Sequence, residues 1–133
     1  MNLRIIIVFT LTLLMSSVFA QEKNNYKTET SIHYYDIDIM NGDEYMQQMC
    51  VVDFYYPTDI KNFPTIVWFH GGGLTGGKRE IPEYLKNKGV AVVGVEYRLS
   101  PNVKSSECIK DAAAATAWVF KNIVKYVVIL LLY

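Results

Sequence analysis

The side chains that most often build metal and redox sites are scarce here: 133 residues carry two cysteines and two histidines. His33 and His70 stand far apart with no Cys or Asp pattern around them, and Cys50 and Cys108 form no group at metal-ligand spacing. Metal binding therefore has no support, and no cofactor is expected. An excess of charge of one sign is also missing. Thirteen Lys and Arg balance thirteen Asp and Glu, which is not the footprint of a nucleic-acid binder. No apolar run reaches the ~20 residues that a membrane helix requires. There is no repeat, linker or low-complexity stretch. What is present is a composition 51% hydrophobic and 14% aromatic, that of a packed body, at a length that leaves room for one domain.

The first twenty residues read as an export leader. Arg4 supplies a positive start, Ile5 to Met15 an apolar run, and Val18 and Ala20 the small residues of a cleavage site before the polar Gln21 to Asn25. An uncleaved anchor is the competing reading, but a run of about a dozen apolar residues is too short to span a bilayer. Cleavage near Ala20 is expected, making 1–20 a signal peptide and leaving an exported chain, secreted or periplasmic, with no stable membrane span. Such a chain could join Cys50 to Cys108. One lies in an expected strand and the other at the start of an expected helix, where a buried thiol is commoner, and the pairing stays open.

Thr30 to Ile39 alternates apolar and polar residues like a half-exposed strand, Asn41 to Asp43 is a turn signal, and Met46 to Tyr56 reads as a second strand stopped by Pro57. The two are expected to pair as an antiparallel hairpin. Thr65 to Phe69 and Val90 to Val95 are continuous apolar runs, as in strands of a parallel sheet buried on both faces. Between them Ile81 to Lys88, with Pro82 early and Gly89 after, is expected to form a short helix. Ser105 or Ser106 is placed to cap a second helix, whose apolar positions recur at helical spacing from Ile109 to Ile123. The order is that of an α/β fold with an antiparallel lead-in.

His70 to Lys78 follows a core strand directly and places five glycines between positions 71 and 77. Backbone N–H groups that must meet a developing oxyanion need such unobstructed approach. The spacing Gly72-x-x-x-x-Gly77-Lys78 also fits a phosphate loop, but Arg79 stands where a Ser or Thr would reach Mg²⁺, and Pro82 interrupts the helix that should follow. A plain glycine turn would be an entropically costly way to reverse the chain.

Three blocks carry a resemblance: Thr65 to Gly73 with its HGGG, Val92 to Pro101 with Tyr97-Arg98-Leu99-Ser100-Pro101, and Asp111 to Trp118. Together they resemble the first half of secreted carboxylesterases and lipases of α/β-hydrolase fold, over roughly residues 50 to 126. The resemblance implies an N-terminal portion of that fold with its sheet incomplete, and hydrolysis of small carboxylic esters. It makes Gly72 and Gly73 the oxyanion donors through their backbone N–H groups, with Gly71 and His70 supporting the loop. His70 is not the catalytic base, since in this fold the base follows the nucleophile. His33 is read as structural. Arg98 is expected to pair with Glu96 or Asp111 in preference to touching substrate.

The fold's nucleophile sits in Gly-x-Ser-x-Gly, and none of Ser16, Ser17, Ser31, Ser100, Ser105 or Ser106 has those flanks. The serine, its acid and its base are therefore expected to be absent, and the chain as written to be inactive. Family-like sequence ends near Tyr126, where a Gly-Gly-Asp-Pro type of loop is usual; residues 127–133 are instead apolar. In one coding of that loop, GGT GGT GAT CCT, loss of a single G gives Val-Val-Ile-Leu, matching Val127 to Leu130, so a frameshift is the expected origin of the tail. The competing readings are a non-catalytic fragment that binds a partner chain, or a second copy of itself, through an open sheet edge or the tail, and a gene product with no role.

Overall fold

A computed structural model describes residues 24–128. The expected leader, 1–20, and the end of the apolar tail, 129–133, lie outside the described residues. A mostly exposed strand, half-buried only at Tyr26, Glu29 and Ile32, forms β1 (Tyr26–His33), which pairs antiparallel with β2 (Val51–Pro57); Tyr26 faces Pro57 and His33 faces Val51. The ladder slips between Glu29 and Ile32, where Ser31 takes a φ of 57°.

The strand expected over Thr30 to Ile39 is thus displaced toward the N-terminus. It ends at His33 because Tyr34 turns into the core, where its hydroxyl donates to the Glu96 carbonyl at 3.0 Å. Ile37–Met40 then form a short helix, α1, in place of more strand. The second expected strand is also late. Its first residues belong to α2 (Glu44–Met49), started by Asp43, whose carboxylate accepts from Met46 N at 2.8 Å. Two helical turns, not a tight hairpin, connect the antiparallel pair.

The sheet order is β1-β2-β4-β3, with β4 (Ala91–Val95) antiparallel to β2 and parallel to β3 (Thr65–Phe69). All five residues of β4 are buried, as expected for a central parallel strand. β3 was expected to share that burial and is half exposed instead. Among the described residues it is paired on one side only, and Phe69 at its end is 37% exposed.

The helix expected over Ile81 to Lys88 reduces to a 3-10 turn, Glu83–Leu85, ended by Asn87 and Gly89 at positive φ. This segment crosses one face of the sheet closely: a Cβ on Gly94 would collide with the Glu80 carbonyl. The opposite face carries α3 (Ser105–Val128). Ser105 and Ser106 lie inside its first turn, so neither caps it from outside. Ala115 and Val119 pack into a core with Met40, Phe54, Val93 and Val95. Tyr126 anchors the far end, edge-on to Phe54 at 4.6 Å. Cys50 and Cys108 are both free and buried, and burial pushes the Cys50 thiol up to about 12. Among the described residues no helix is long and apolar enough to cross a membrane.

Candidate active-site loop

The chain leaves β3 at Phe69 and immediately buries His70, while Gly71, Gly72 and Gly73 stay exposed. The imidazole is gripped at both nitrogens. Nδ1 lies 2.8 Å from the Gly71 carbonyl and Nε2 lies 2.9 Å from Glu96 Oε1. Tyr97 stacks on the ring at 4.5 Å between centroids, and its hydroxyl donates to the His70 carbonyl at 2.9 Å. The strand end and the residues after β4 are therefore fastened through one histidine.

Seven residues then fold back on themselves. At Gly72, with φ of 121°, a Cβ would run into the Gly76 carbonyl; at Gly77, with φ of 98°, it would strike both the Gly71 carbonyl and His70 Nδ1. Only glycine permits either approach. Ser100 N donates to the Leu74 carbonyl at 2.8 Å, tying the loop tip to the segment after β4. A Cβ at Gly71 or Gly73 would meet nothing within 4 Å, so the outer rim of the loop is open to an incoming group.

Beneath the loop lies a charged set. Glu96 Oε2 accepts from Arg79 N at 3.0 Å, with Arg79 Nη1 3.9 Å away. Arg79 Nε stands 2.9 Å from Asp53 Oδ1, as an ion pair off the line of a hydrogen bond. Arg79 Nη2 also donates to Ser31 Oγ at 2.9 Å. Glu96 thus belongs to His70 and Arg79, and Arg98 takes the other expected partner. Arg98 Nε and Nη2 donate to Asp111 at 2.8 and 2.7 Å, and Tyr35 donates to the same carboxylate at 3.1 Å. The hydrogen bonds to Asp111 hold the Arg98 guanidinium above its ordinary range, and burial, with the Asp111 charge second, raises the Tyr35 hydroxyl. With its guanidinium committed to Asp111, Arg98 fixes α3 to the strand end.

His33 is exposed, with Nε2 2.9 Å from the Gln47 carbonyl. Among the described residues no hydrogen bond joins Ser31, Ser100, Ser105 or Ser106 to either histidine. Beside the loop, Phe69 with Ile109, Ala113, Thr116 and Phe120 lines an apolar groove of about 570 Å³.

The BD-FAE family signature matches residues 52–129, more than half the chain, and spans the glycine loop, Glu96 and the Arg98–Asp111 pair. The chain belongs to the BD-FAE family of α/β-hydrolase esterases. It is 34% identical over 76 residues to esterase LipI of Mycobacterium tuberculosis, an alignment covering 51% of this chain and 24% of that protein. Fumonisin B1 esterase of Sphingopyxis macrogoltabida is 35% identical over 79 residues, 45% of this chain and 15% of the relative. Esterase B of Lactobacillus rhamnosis, solved with an inhibitor, superimposes with a TM-score of 0.58 at 26% identity, covering 87% of this chain and 38% of that one. The chain spans under a quarter of the length of these two curated relatives.

Within the BD-FAE fold the sequence reading missed Arg79, Asp53 and Tyr97 as loop supports. A signal for Tyr97 existed, since Glu96 and Tyr97 follow β4 directly; Asp53 reaches the loop through a strand pairing that no local pattern announces.

Proposed function

We propose that this chain supplies the oxyanion-binding part of an exported carboxylic ester hydrolase. The backbone N–H groups of Gly72 and Gly73 receive the charge that develops on the ester carbonyl oxygen, while Gly71 and His70 hold the loop in place. The observation that carries this reading is a glycine loop at the end of β3, open on its rim and fastened from below through His70 to Glu96. BD-FAE membership supports the reaction class. The reaction needs a serine nucleophile with its acid and base, and none of Ser31, Ser100, Ser105 or Ser106 stands in Gly-x-Ser-x-Gly; the substrate of the full reaction is a small ester. Export rests on Arg4, the run from Ile5 to Met15, and Ala20.

The oxyanion role is tested by transplantation. Residues 65–101 replace the equivalent strand, loop and strand of esterase B, and turnover of a short-acyl ester is measured. Retained turnover is expected, and a folded but inactive chimera overturns the reading.

A second reading, in which the chain joins a partner chain or a second copy of itself without catalysis, is favoured by the one-sided pairing of β3 and the groove beside Phe69. Size-exclusion chromatography separates it from a monomer.

A further inference from the structure

His70 faces an acceptor at each end of its ring. The Gly71 carbonyl, 2.8 Å from Nδ1, cannot donate, and neither can an ionised Glu96, 2.9 Å from Nε2. A neutral imidazole has one N–H, so in one of these contacts it would turn a lone pair toward a lone pair. Either both ring nitrogens carry protons, or Glu96 carries one.

The surroundings decide between them. Glu96 Oε2 accepts the Arg79 backbone N–H at 3.0 Å and has the Arg79 guanidinium 3.9 Å away, both of which favour the carboxylate. Tyr97 lays its ring on the imidazole with only 8° between the planes, a contact that attracts a cation. Arg79 is itself matched by Asp53. The set of His70, Arg79, Glu96 and Asp53 then holds two cations against two carboxylates, so no buried charge stands alone.

We propose that Glu96 is a positioning residue: it keeps His70 protonated at both nitrogens, and the Nδ1–H bond to the Gly71 carbonyl aims the Gly72 N–H. That carbonyl and that N–H belong to one planar trans peptide and point in opposite directions. Fastening the carbonyl inward on buried His70 turns the N–H outward, to the open rim of the loop. Gly77 packs over the same bond and leaves no room for a side chain there. Without the Nδ1 proton the Gly71 carbonyl loses its donor, and the peptide is free to rotate. Donors aimed in advance are what an oxyanion site requires. The inference rests on the oxyanion reading of the loop, but its proton placement is measurable without any ester.

The full chain, labelled with nitrogen-15 in its histidine rings and glycine amides, is examined by NMR at neutral pH. His70 is expected to show a proton on each ring nitrogen. Glu96→Gln should leave one, on Nδ1, because a Gln amide can donate to Nε2, so the Gly72 amide should hold its place. His70→Gln, whose amide reaches toward Glu96 but leaves no donor at the Nδ1 position, should shift the Gly72 amide resonance while amides of the β1–β2 pair stay in place. Tyr97→Phe removes only the bond to the His70 carbonyl, so both ring protons should remain. A single ring proton on wild-type His70 overturns the proposal, as does a Gly72 amide indifferent to His70→Gln. If the Glu96→Gln chain does not fold, the wild-type ring alone decides. Two ring protons combined with an inactive, folded esterase B chimera would leave the proton placement standing and overturn the oxyanion reading.

Discussion

Arg98 and Asp111 meet in a two-pronged ion pair, at 2.8 and 2.7 Å, with the Asp111 side chain fully buried. Arg98 N and the Tyr35 hydroxyl supply further donors at 3.2 and 3.1 Å, so the carboxylate is satisfied from the strand end and from the segment after β1 at once. Removing one partner of such a pair leaves the other charge stranded. Asp111→Ala should cost about 3–5 kcal/mol of unfolding free energy, read from the urea midpoint. Arg98→Lys should also destabilise, since a lysine cannot make the paired contacts.

Loop closure has its own test. Gly77→Ala should open the loop, because the new methyl would collide with both partners of the His70–Gly71 bond. Gly42→Ala shares a positive φ, 80°, but meets nothing within 4 Å and should cost only the backbone term of about 1–2 kcal/mol. Proteolysis within residues 71–77 should accelerate in the first variant and not in the second.

Much of this architecture is legible in the sequence, and its limits have physical causes. The continuous apolar runs mark β3 and β4 because a parallel strand between covered faces needs no polar alternation. The burial of β3 is not legible, because strand order decides which run lies at the edge. Met46 to Met49 is helical although it adjoins the strand, since Met and Gln favour a helix and Asp43 offers its carboxylate to Met46 N; an acidic residue in a turn signal is equally a cap. The glycine loop stands out by composition. Its support does not: Glu96 and Asp111 are both plausible mates for Arg98 in the sequence, and only the packing of α3 gives Asp111 to Arg98 and leaves Glu96 for His70.

Alkaline conditions should destabilise the fold. Burial holds the Cys50 thiol at about 12, whereas an unfolded thiol releases its proton near about 8.5. The folded state therefore binds the proton more tightly, and the associated stability, complete below about pH 8.5, is lost as pH rises toward 12. Burial raises the Tyr34 and Tyr35 hydroxyls in the same sense, adding to the loss above about pH 10. Urea midpoints measured across this range should fall, and Cys50→Ala should flatten the first part of the decline.

Serine-directed reagents should leave the chain unmodified. A fluorophosphonate is expected to label none of Ser31, Ser100, Ser105 or Ser106, none of which has an activating histidine. Stoichiometric labelling at any of them, mapped by mass spectrometry, would reveal a nucleophile inside these residues.

The role of the glycine loop is tested most directly by kcat in the esterase B chimera carrying residues 65–101, compared with the same chimera bearing Gly72→Ala. A side chain at position 72 would collide with the Gly76 carbonyl and turn the adjoining N–H groups away from the oxyanion. The account predicts a fall in kcat of about 10²–10³-fold with KM little changed, the size of effect that follows loss of one oxyanion donor. An unchanged kcat in a folded Gly72→Ala chimera would contradict it.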